Sequence, residues 1–456
     1  MPGPKDVPHV LLINPWIYDF AAYDVWAKPY GLLTLAAIFR HHGVRVSYID
    51  CLDRFHPRAP ATDPHARHGR GPYLKTPLPN PPALASVNRT YSRYGIESQW
   101  FQESLAAIST PQAPDLILVT SIMTYWYPGV VETIQQLKAA FPHTPVVLGG
   151  IYARLWTEHA VSNSGADHVA VDDGRDLFAL FKRFTGYEIT PEFDFHDLDA
   201  LPYPAFDLQN KITYIPLLTG RGCPYDCAYC ASRFLEPVMI RRSPESVASE
   251  IDHWHQKHGV VDFAFYDDAL LVHPQRHAWP LFEAIIRKEL KLFFHTPNAL
   301  HIREISARTA QLMFQAGFQT LRLGLETTAF DARRDLDRKV EEEEFRQAVG
   351  HLRNAGFRSD QIGAYLLVGL PGQSLAAVQK SIDIVRQAGI TPIMAHYTPI
   401  PHTRLWESAC AASRYDLGSD PIFSNNAIMP CSPDDFSWQV LSRLKQSIHQ
   451  PIDECE

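Results

Sequence analysis

The stretch 220-GRGCPYDCAYC-230 decides how this chain folds and what it can bind. It contains Cys223, Cys227 and Cys230 at the spacing C-x3-C-x2-C, and it directly follows an apolar run, 213–219, that predicts a buried strand. Thiolates are soft ligands that suit iron–sulfur clusters. Three of them on one short loop can hold three irons of a cubane and leave the fourth iron open, as in catalytic metal sites. We therefore predict that these cysteines ligate a 4Fe–4S cluster.

Two alternatives compete with a cluster. A zinc site needs a fourth Cys or His at finger-like spacing, typically in a second C-x2-C pair, and we find no such pair. Chance clustering of structural cysteines would not explain the flanking glycines and aromatic residues. The total of seven cysteines is odd, and the first residues lack the layout of a secretory signal, which disfavours a disulfide framework. We expect a cytoplasmic protein.

Around the loop, apolar runs alternate with amphipathic stretches, the pattern of parallel βαβ units. Between about 212 and 404 this pattern predicts six strands with helices between them. A complete TIM barrel has eight strands, so we predict a partial (β/α)6 barrel whose site lies at the carboxyl ends of its strands. The predicted strands are 213–219, 261–266, 292–296, 320–326, 363–368 and 394–398.

The first 190 residues repeat the βαβ pattern as a separate domain. Five predicted strands with interleaved helices indicate a flavodoxin-like, Rossmann-type fold, which binds ligands beyond the carboxyl ends of its strands. The segment 54–95 is rich in Pro, His and Arg and has no clear period, so it is either a solvated insertion or an active-site lid. The predicted strands are 9–14, 44–50, 115–121, 145–148 and 168–171.

Two further regions complete the predicted organisation. Residues 191–211 are rich in proline towards their end and predict an extended linker. Residues 405–456 predict a C-terminal extension with one helix at 436–448, packed over the barrel or closing its open side.

Composition narrows the functional classes. A length of 456 residues predicts more than one domain, and a formal charge of −8 argues against a general nucleic-acid binder. No run of eighteen apolar residues indicates a transmembrane segment. The basic residues Arg333, Arg334, Arg338 and Lys339 are predicted to form a solvated rim.

The cysteine loop, with aromatic Tyr229 before its last cysteine and a strand before its first, resembles the signature of the radical S-adenosylmethionine (SAM) superfamily. The resemblance implies that SAM binds the open iron and is cleaved reductively to methionine and a 5′-deoxyadenosyl radical. It also implies oxygen sensitivity, hence anaerobic function, and an electron donor such as flavodoxin or ferredoxin. Residues at later strand ends match the family's cofactor-binding positions: Asp268, Asn298, Glu326 and Gly369.

A flavodoxin-like domain before such a barrel resembles the cobalamin-binding subfamily. The matching strand ends include Ser121, Gly149 and Gly150, and the glycines would let the cobalamin nucleotide tail approach the backbone. The D-x-H-x-x-G motif, which supplies a cobalt ligand in many cobalamin proteins, is absent. The lower cobalt position therefore stays unassigned, and a cobalamin-free relic domain stays an alternative.

The resemblance implies methyl transfer to an unactivated carbon or phosphorus centre, with a small-molecule or lipid substrate that the sequence leaves unidentified. The first alternative is a cobalamin-independent radical SAM enzyme that performs a rearrangement, cyclisation or other C–H activation. The second is a non-catalytic iron–sulfur redox protein, although such carriers usually ligate all four irons with cysteine.

Overall fold

The computed structural model describes residues 7–110, 112–172, 175–190, 193–330, 336–433 and 436–448. The chain forms two compact units. The first comprises residues 1–213 together with 420–422, and the second comprises 214–419 together with 423–456. The domain boundaries inferred from the sequence, 1–190, 191–211, 212–404 and 405–456, stay predictions. None of the described helices has both the length and the apolar character needed to span a bilayer.

The first unit alternates strands and helices, as predicted. Its elements are β1 (His9–Asn14), β2 (Ile17–Asp19), β3 (Tyr23–Asp24), α1 (Tyr30–His41), β4 (Arg45–Asp50), β5 (Gly71–Pro72), β6 (Lys75–Leu78), β7 (Tyr91–Tyr94), α2 (Ser98–Ile108), β8 (Leu116–Val119), α3 (Tyr127–Ala140), β9 (Val146–Leu148), α4 (Ile151–Leu155), α5 (Thr157–Asn163), β10 (His168–Val169) and α6 (Arg175–Thr185).

Five of these strands form one parallel sheet in the order β10-β9-β8-β1-β4. Numbered by their sequence order within the sheet, that is 2-1-3-4-5, which confirms the flavodoxin-like prediction. All six residues of β1 and all four of β8 are buried, because helices cover both faces of a parallel sheet. The strand order reverses beside β1, so the carboxyl ends of β1 and β8 flank the crevice where such folds bind ligands.

The segment 54–95 contains regular structure that its composition does not reveal. β7 pairs antiparallel with β6 and with β2, and β5 pairs antiparallel with β3. Its partners β2 and β3 follow β1 directly, so the segment is built onto the carboxyl end of the parallel sheet. A buried ion pair between Arg54 and Asp24, 3.2 Å apart, holds it there. This position is compatible with the lid alternative.

The linker region also packs onto the first unit. Phe206 is fully buried, and Arg40 on α1 forms an ion pair with Asp207 at 2.8 Å. Residues 206–208 form a single 3-10 turn, so this part of the linker is not extended. Apolar residues next to Pro202 and Pro204, among them Leu201 and Ala205, pack into the hydrophobic core that α1 and α6 also line.

The second unit has the elements predicted for a partial barrel, with several short additions. They are β11 (Ile215–Leu217), β12 (Gly220–Arg221), α7 (Ser232–Leu235), β13 (Ile240–Arg241), α8 (Pro244–His258), β14 (Asp262–Phe265), α9 (Ala278–Ile286), β15 (Phe293–His295), α10 (Ala307–Ala316), β16 (Phe318–Glu326), α11 (Glu342–Ala355), β17 (Ile362–Val368), α12 (Leu375–Gln387), β18 (Thr391–His396), α13 (Trp406–Ala412) and α14 (Trp438–Ile448).

Six of these strands form one parallel sheet, in which they follow one another in chain order: β11-β14-β15-β16-β17-β18. Within the described residues β11 and β18 are edge strands, so the barrel is open and the six-strand prediction is confirmed. Local sequence sets the helix limits: Ser243, Ser306 and Ser374 cap the N-termini of α8, α10 and α12 with their side chains. All six strands point their carboxyl ends to the same edge, where the cysteine loop begins.

The C-terminal region packs against the last strand of the barrel. The ring of Trp438 on α14 lies 5.1 Å from that of His396 on β18, and its indole N–H donates to the Ala427 carbonyl at 2.7 Å. The predicted helix 436–448 is thus present as α14 and lies beside the open edge. Helix α13 was not predicted, because seven residues are too few to show a clear period.

Candidate functional site

The cysteine loop is shaped by a short antiparallel hairpin and by glycine. Gly220 in β12 pairs with Arg241 in β13, which closes the loop at its base. Gly222 has φ +81°, and a Cβ at this position would lie 2.7 Å from the carbonyl oxygen of Val238. Only glycine fits a left-handed residue in such close contact with another backbone. The glycine directly before Cys223 therefore sets the path of the loop.

The three cysteines are free thiols in a partly buried environment. Burial raises the pKa of Cys223, and it raises the pKa of Cys227 to about 11 although the Lys339 ammonium opposes the shift. Metal ligation requires the thiolate, so binding must displace protons from these groups. The backbone N–H of Ser232 donates to Cys230 Sγ at 3.4 Å. Three soft donors on one loop closed by β12 and β13 fit a cluster with one open iron.

Asp268 and Asn298 follow the second and third barrel strands, as predicted. Burial raises the pKa of Asp268, and a hydrogen bond with Ser232 opposes that rise. Since Ser232 also contacts Cys230, Asp268 is tied to the cysteine loop. Asn298 is exposed, and its amide donates to the Tyr266 carbonyl at 2.7 Å, which joins the loops after β14 and β15. Asp268 therefore lies at the site, whereas the side-chain amide of Asn298 joins neighbouring loops.

Tyr229 and Glu326 meet around a basic residue that sequence reasoning misplaced. The Lys339 ammonium donates to the Tyr229 hydroxyl at 3.1 Å. Burial lowers the pKa of Lys339, but the Glu326 carboxylate and the Cys227 thiol more than compensate and hold it above its usual range. Glu326 is 6% exposed and has φ +62°, a strained conformation for a side chain of this kind.

The prediction that Lys339 belongs to a solvated rim is therefore wrong. Its side chain turns inward because the Glu326 and Asp337 carboxylates and the Cys227 thiol lie close enough to stabilise its charge. Arg338 is exposed, as predicted, and Arg333 and Arg334 lie outside the described residues. Arg338 and Lys339 are neighbouring basic residues, and nothing in the sequence indicates which of the two side chains points inward.

Gly369 lies in a turn at the end of β17. It has φ +92°, and a Cβ there would lie 2.9 Å from the Ser432 hydroxyl. The Gln373 side chain accepts the Gly369 N–H at 2.8 Å and donates to the Leu367 carbonyl at 2.8 Å. Side-chain hydrogen bonds thus hold this turn in shape, and Gln373 is a supporting residue that the prediction omitted.

Asp267, at the same strand end as Asp268 but not among the predicted cofactor-binding residues, places its carboxylate beside the end of β11. It accepts hydrogen bonds from the backbone N–H and hydroxyl of Thr219, at 3.1 and 2.6 Å. The Thr219 hydroxyl also lies 2.7 Å from Nε2 of the buried His277. Burial raises the pKa of Asp267 to about 6 despite the opposing hydrogen bonds from Thr219. This network anchors the strand end from which the cysteine loop departs.

Another omitted residue, His301, contacts the loop directly. Its Nε2 lies 3.8 Å from Cys223 Sγ, and its ring stacks on that of Tyr225 with centroids 4.8 Å apart. Burial, assisted by the Lys339 charge, lowers the pKa of His301 to about 3, so the ring is neutral. The only sequence signal available was its position soon after a predicted strand end.

In the first unit, the predicted residues Ser121, Gly149 and Gly150 lie together at the carboxyl ends of β8 and β9. The Ser121 hydroxyl donates to the Gly149 carbonyl at 2.6 Å, so this side chain supports the turn. Gly150 has φ +94°, and a Cβ there would lie 2.2 Å from the Ser121 carbonyl oxygen. A Cβ on Gly149 would meet no heavy atom within 4 Å, which leaves space for a ligand to approach the backbone.

Apolar side chains surround this glycine turn. Met123, Ile151 and Val171 follow the carboxyl ends of three neighbouring strands, β8, β9 and β10, and are 40%, 38% and 48% exposed. Exposed apolar residues at the ligand-binding edge of a parallel sheet favour a large, partly apolar ligand. Together with the open space at Gly149, they fit the nucleotide end of cobalamin.

Comparison with known proteins identifies two domains. The model of the radical SAM superfamily matches residues 217–385, and the model of the B12 binding domain matches residues 90–182. The chain therefore carries a B12-binding domain followed by a radical SAM domain. Both matched ranges contain the candidate sites described above, which supports 4Fe–4S, SAM and cobalamin as the cofactors of this protein.

Several individual proteins are similar. An uncharacterized methyltransferase of Pyrococcus horikoshii is 24% identical over 47% of this chain and 48% of its own length, so the chain spans about half of that curated relative. The radical SAM methyltransferase TsrM of Kitasatospora setae, with tryptophan and a SAM analogue bound, has a TM-score of 0.66 at 15% identity and covers 97% of this chain and 89% of TsrM. The cobalamin-dependent radical SAM enzyme OxsB, with aqua-cobalamin and SAM bound, has a TM-score of 0.57 at 12% identity and covers 99% of this chain and 63% of OxsB. These two structures show a shared fold.

Proposed function

We propose that this protein is a cobalamin-dependent radical SAM methyltransferase that acts on an unactivated centre of a small-molecule or lipid substrate. One observation carries the proposal: a loop with three free thiols follows the first strand of an open, six-stranded barrel, in a chain that also has a B12-binding domain. The methyltransferase names of the Pyrococcus relative and of TsrM support methyl transfer as the reaction.

When bound, the cluster with SAM supplies a radical that removes hydrogen from substrate, and cobalamin supplies a carrier for the methyl group. Cys223, Cys227 and Cys230 would hold the cluster and would leave one iron free of protein ligands, available to SAM. Asp268 and Glu326 offer carboxylates that accept hydrogen bonds from the ammonium group or ribose hydroxyls of SAM. The Lys339 ammonium would partly neutralise the negative charge of the Glu326 carboxylate and the Cys227 thiolate.

The remaining proposed cofactor residues shape the loops and turns that would surround the cofactors. The positive φ of Gly369 bends the turn at the end of β17, so its backbone can approach a flat base closely. Asn298 positions the loop after β15 through its bond to Tyr266. Tyr229 orients the Lys339 ammonium, and Ser121, Gly149 and Gly150 shape the turn that would face cobalamin.

A low-potential, one-electron protein such as flavodoxin or ferredoxin is the proposed reductant, because the cluster must be reduced before it can act. Free thiols and an oxygen-sensitive cluster are consistent with a reducing compartment, so we propose the cytoplasm and anaerobic conditions.

The missing D-x-H-x-x-G motif favours a second candidate, a radical SAM enzyme that does not use cobalamin. A non-catalytic redox protein is disfavoured by the three-cysteine loop.

The test begins with anaerobic purification and cluster reconstitution. The protein is incubated with SAM and dithionite, with and without hydroxocobalamin, and 5′-deoxyadenosine and S-adenosylhomocysteine are measured by mass spectrometry. A matched sample carries Cys223, Cys227 and Cys230 all changed to Ala. We expect 5′-deoxyadenosine only from the unchanged protein, and S-adenosylhomocysteine only when cobalamin is bound.

Each outcome separates the candidates. 5′-Deoxyadenosine without bound cobalamin, and with no dependence on it, would favour the cobalamin-independent enzyme. An intact cluster that never cleaves SAM, even across a panel of candidate substrates, would favour the redox protein. A reconstituted protein with no cluster at all would refute the proposed function.

A further inference from the structure

The position of His301 is determined by backbone pairing and not by its own side chain. Leu300 forms a parallel bridge with Leu323, its N–H donates to the Arg322 carbonyl at 2.7 Å, and its carbonyl accepts the Gly324 N–H at 3.0 Å. The residue that follows is therefore held beside β16, at the carboxyl end of the barrel. Its Cα is therefore close to the strand end from which SAM-contacting residues are proposed, and its ring contacts give the orientation of the side chain.

The contacts of the His301 ring single out one sulfur atom. Its Nε2 lies 3.8 Å from Cys223 Sγ, a length that suits N–H···S contacts because sulfur is a large atom. The Tyr225 ring stacks on the imidazole with an interplanar angle of 21°, which fixes the plane of the ring. His301 is only 4% exposed, and its Nδ1 has no hydrogen-bond partner in the part of the chain that the structure describes. Burial therefore limits the access of solvent to the ring, including the nitrogen that faces the sulfur.

The chemistry of a metal-bound thiolate decides the direction of this contact. A neutral imidazole has one N–H, on either nitrogen. When Cys223 ligates iron, its sulfur has no hydrogen to donate, so the contact is attractive only if Nε2 carries the proton. We propose that His301 is a positioning residue that donates an N–H···S hydrogen bond to Cys223 and thereby favours the reduced state of the cluster.

The expected effect follows from charge. One-electron reduction adds a negative charge that is shared by the cluster and its thiolates, while the external reductant loses one electron and no proton moves. A donor to a ligand sulfur stabilises the more negative state and raises the reduction potential. A hydrogen bond of ordinary net strength changes the equilibrium constant for reduction by about threefold to tenfold. The inference rests on the proposed function only in requiring that the loop hold a 4Fe–4S cluster.

The experiment compares three variants of the full chain with the unchanged protein. His301→Phe keeps a ring to stack on Tyr225 but removes the N–H, and His301→Gln replaces the ring but can keep a donor. His402→Phe is the matched control, because His402 also stacks on an aromatic ring, that of Phe234 at 4.1 Å, but is exposed. Midpoint potentials are measured by dithionite titration monitored by electron paramagnetic resonance, after iron and sulfide analysis.

We expect the equilibrium constant for reduction to fall by about threefold to tenfold in His301→Phe, to stay near the original value in His301→Gln, and to be unchanged in His402→Phe. An unchanged potential in His301→Phe, or an equal fall in His301→Gln, would overturn the role. If His301→Phe assembles no cluster, unchanged protein labelled with 15N-histidine decides: a weak 15N hyperfine coupling, lost in His301→Gln, supports the bond, and its absence refutes it. Failure of the unchanged protein to hold a cluster would instead refute the proposed function.

Discussion

The two candidate cofactor sites are built in different ways. In the second unit, three donor side chains lie within eight residues of one loop, and a hairpin and Gly222 shape that loop. In the first unit, Ser121 and Gly149 come from separate strand ends and contribute mainly backbone space and a supporting hydrogen bond.

This difference explains which site can be recognised from residues. Ligation of a cluster needs a particular atom, the thiolate sulfur, so cysteine residues at a suitable spacing indicate the site directly. Binding a large cofactor beside a sheet edge needs clearance and shape, which many residue types can provide.

Removing one thiol should abolish the first site and leave the second intact. Cys227→Ala takes away one of three cluster ligands, so we expect loss of iron, sulfide and SAM cleavage, with unchanged binding of hydroxocobalamin. Cys410→Ala is the control, since Cys410 is a free, partly buried thiol outside the loop. Iron analysis and equilibrium dialysis measure the two sites separately. A variant that also loses cobalamin would show that the sites are not independent.

Lys339→Met should destabilise the second unit strongly. The substitution leaves the Glu326 carboxylate without its nearby cation at a buried position, which we expect to cost about 3–5 kcal/mol of unfolding free energy. Glu326→Gln in the same chain removes the uncompensated charge and should recover part of the loss. Urea denaturation of the cluster-free protein measures all three. Additive losses in the double variant would contradict a coupled pair.

Asp267 should make the stability of the second unit depend on pH. Its pKa is raised from 3.8 to about 6 in the folded protein, so the folded state holds the proton more tightly than the unfolded state does. Stability from this group is therefore present below pH 4 and is lost as pH rises to about 6, by about 3 kcal/mol in all. Asp267→Asn has no such titration. Urea denaturation at intervals from pH 4 to 7 should show the unchanged protein weakening relative to the variant, and parallel profiles would refute the assignment.

The two glycines of the first unit should differ from each other. In Gly150→Ala, a Cβ meets the Ser121 carbonyl in a left-handed backbone, so we expect destabilisation by about 2–3 kcal/mol. Gly149→Ala should leave stability within about 0.5 kcal/mol but reduce cobalamin affinity, because its Cβ occupies the open space. Thermal unfolding and cobalamin titration distinguish the two. Unchanged affinity in Gly149→Ala would place the cofactor elsewhere.

Much of the fold was predictable because apolar periodicity reports burial directly. β1 spans the predicted residues, and all six barrel strands lie within three residues of their predicted starts. The segment 54–95 was not predictable, because its strands pair with β2 and β3, which are too short to show a period. The segment is rich in Pro, His and Arg and has no apolar period of its own, so its strands become apparent only from their pairing with distant residues.

Residue types and spacing were sufficient to predict three candidate cluster ligands, the order of strands and helices, and the presence of two domains. These depend on residue type and on spacing along a few turns of chain. Packing of the folded barrel, which no local pattern reports, brings His301 to Cys223, 78 residues earlier, and Lys339 to Tyr229, 110 residues earlier. Parallel strands bring their carboxyl ends to one edge whatever their separation in sequence, and a basic side chain there points inward or outward according to the partners that packing supplies.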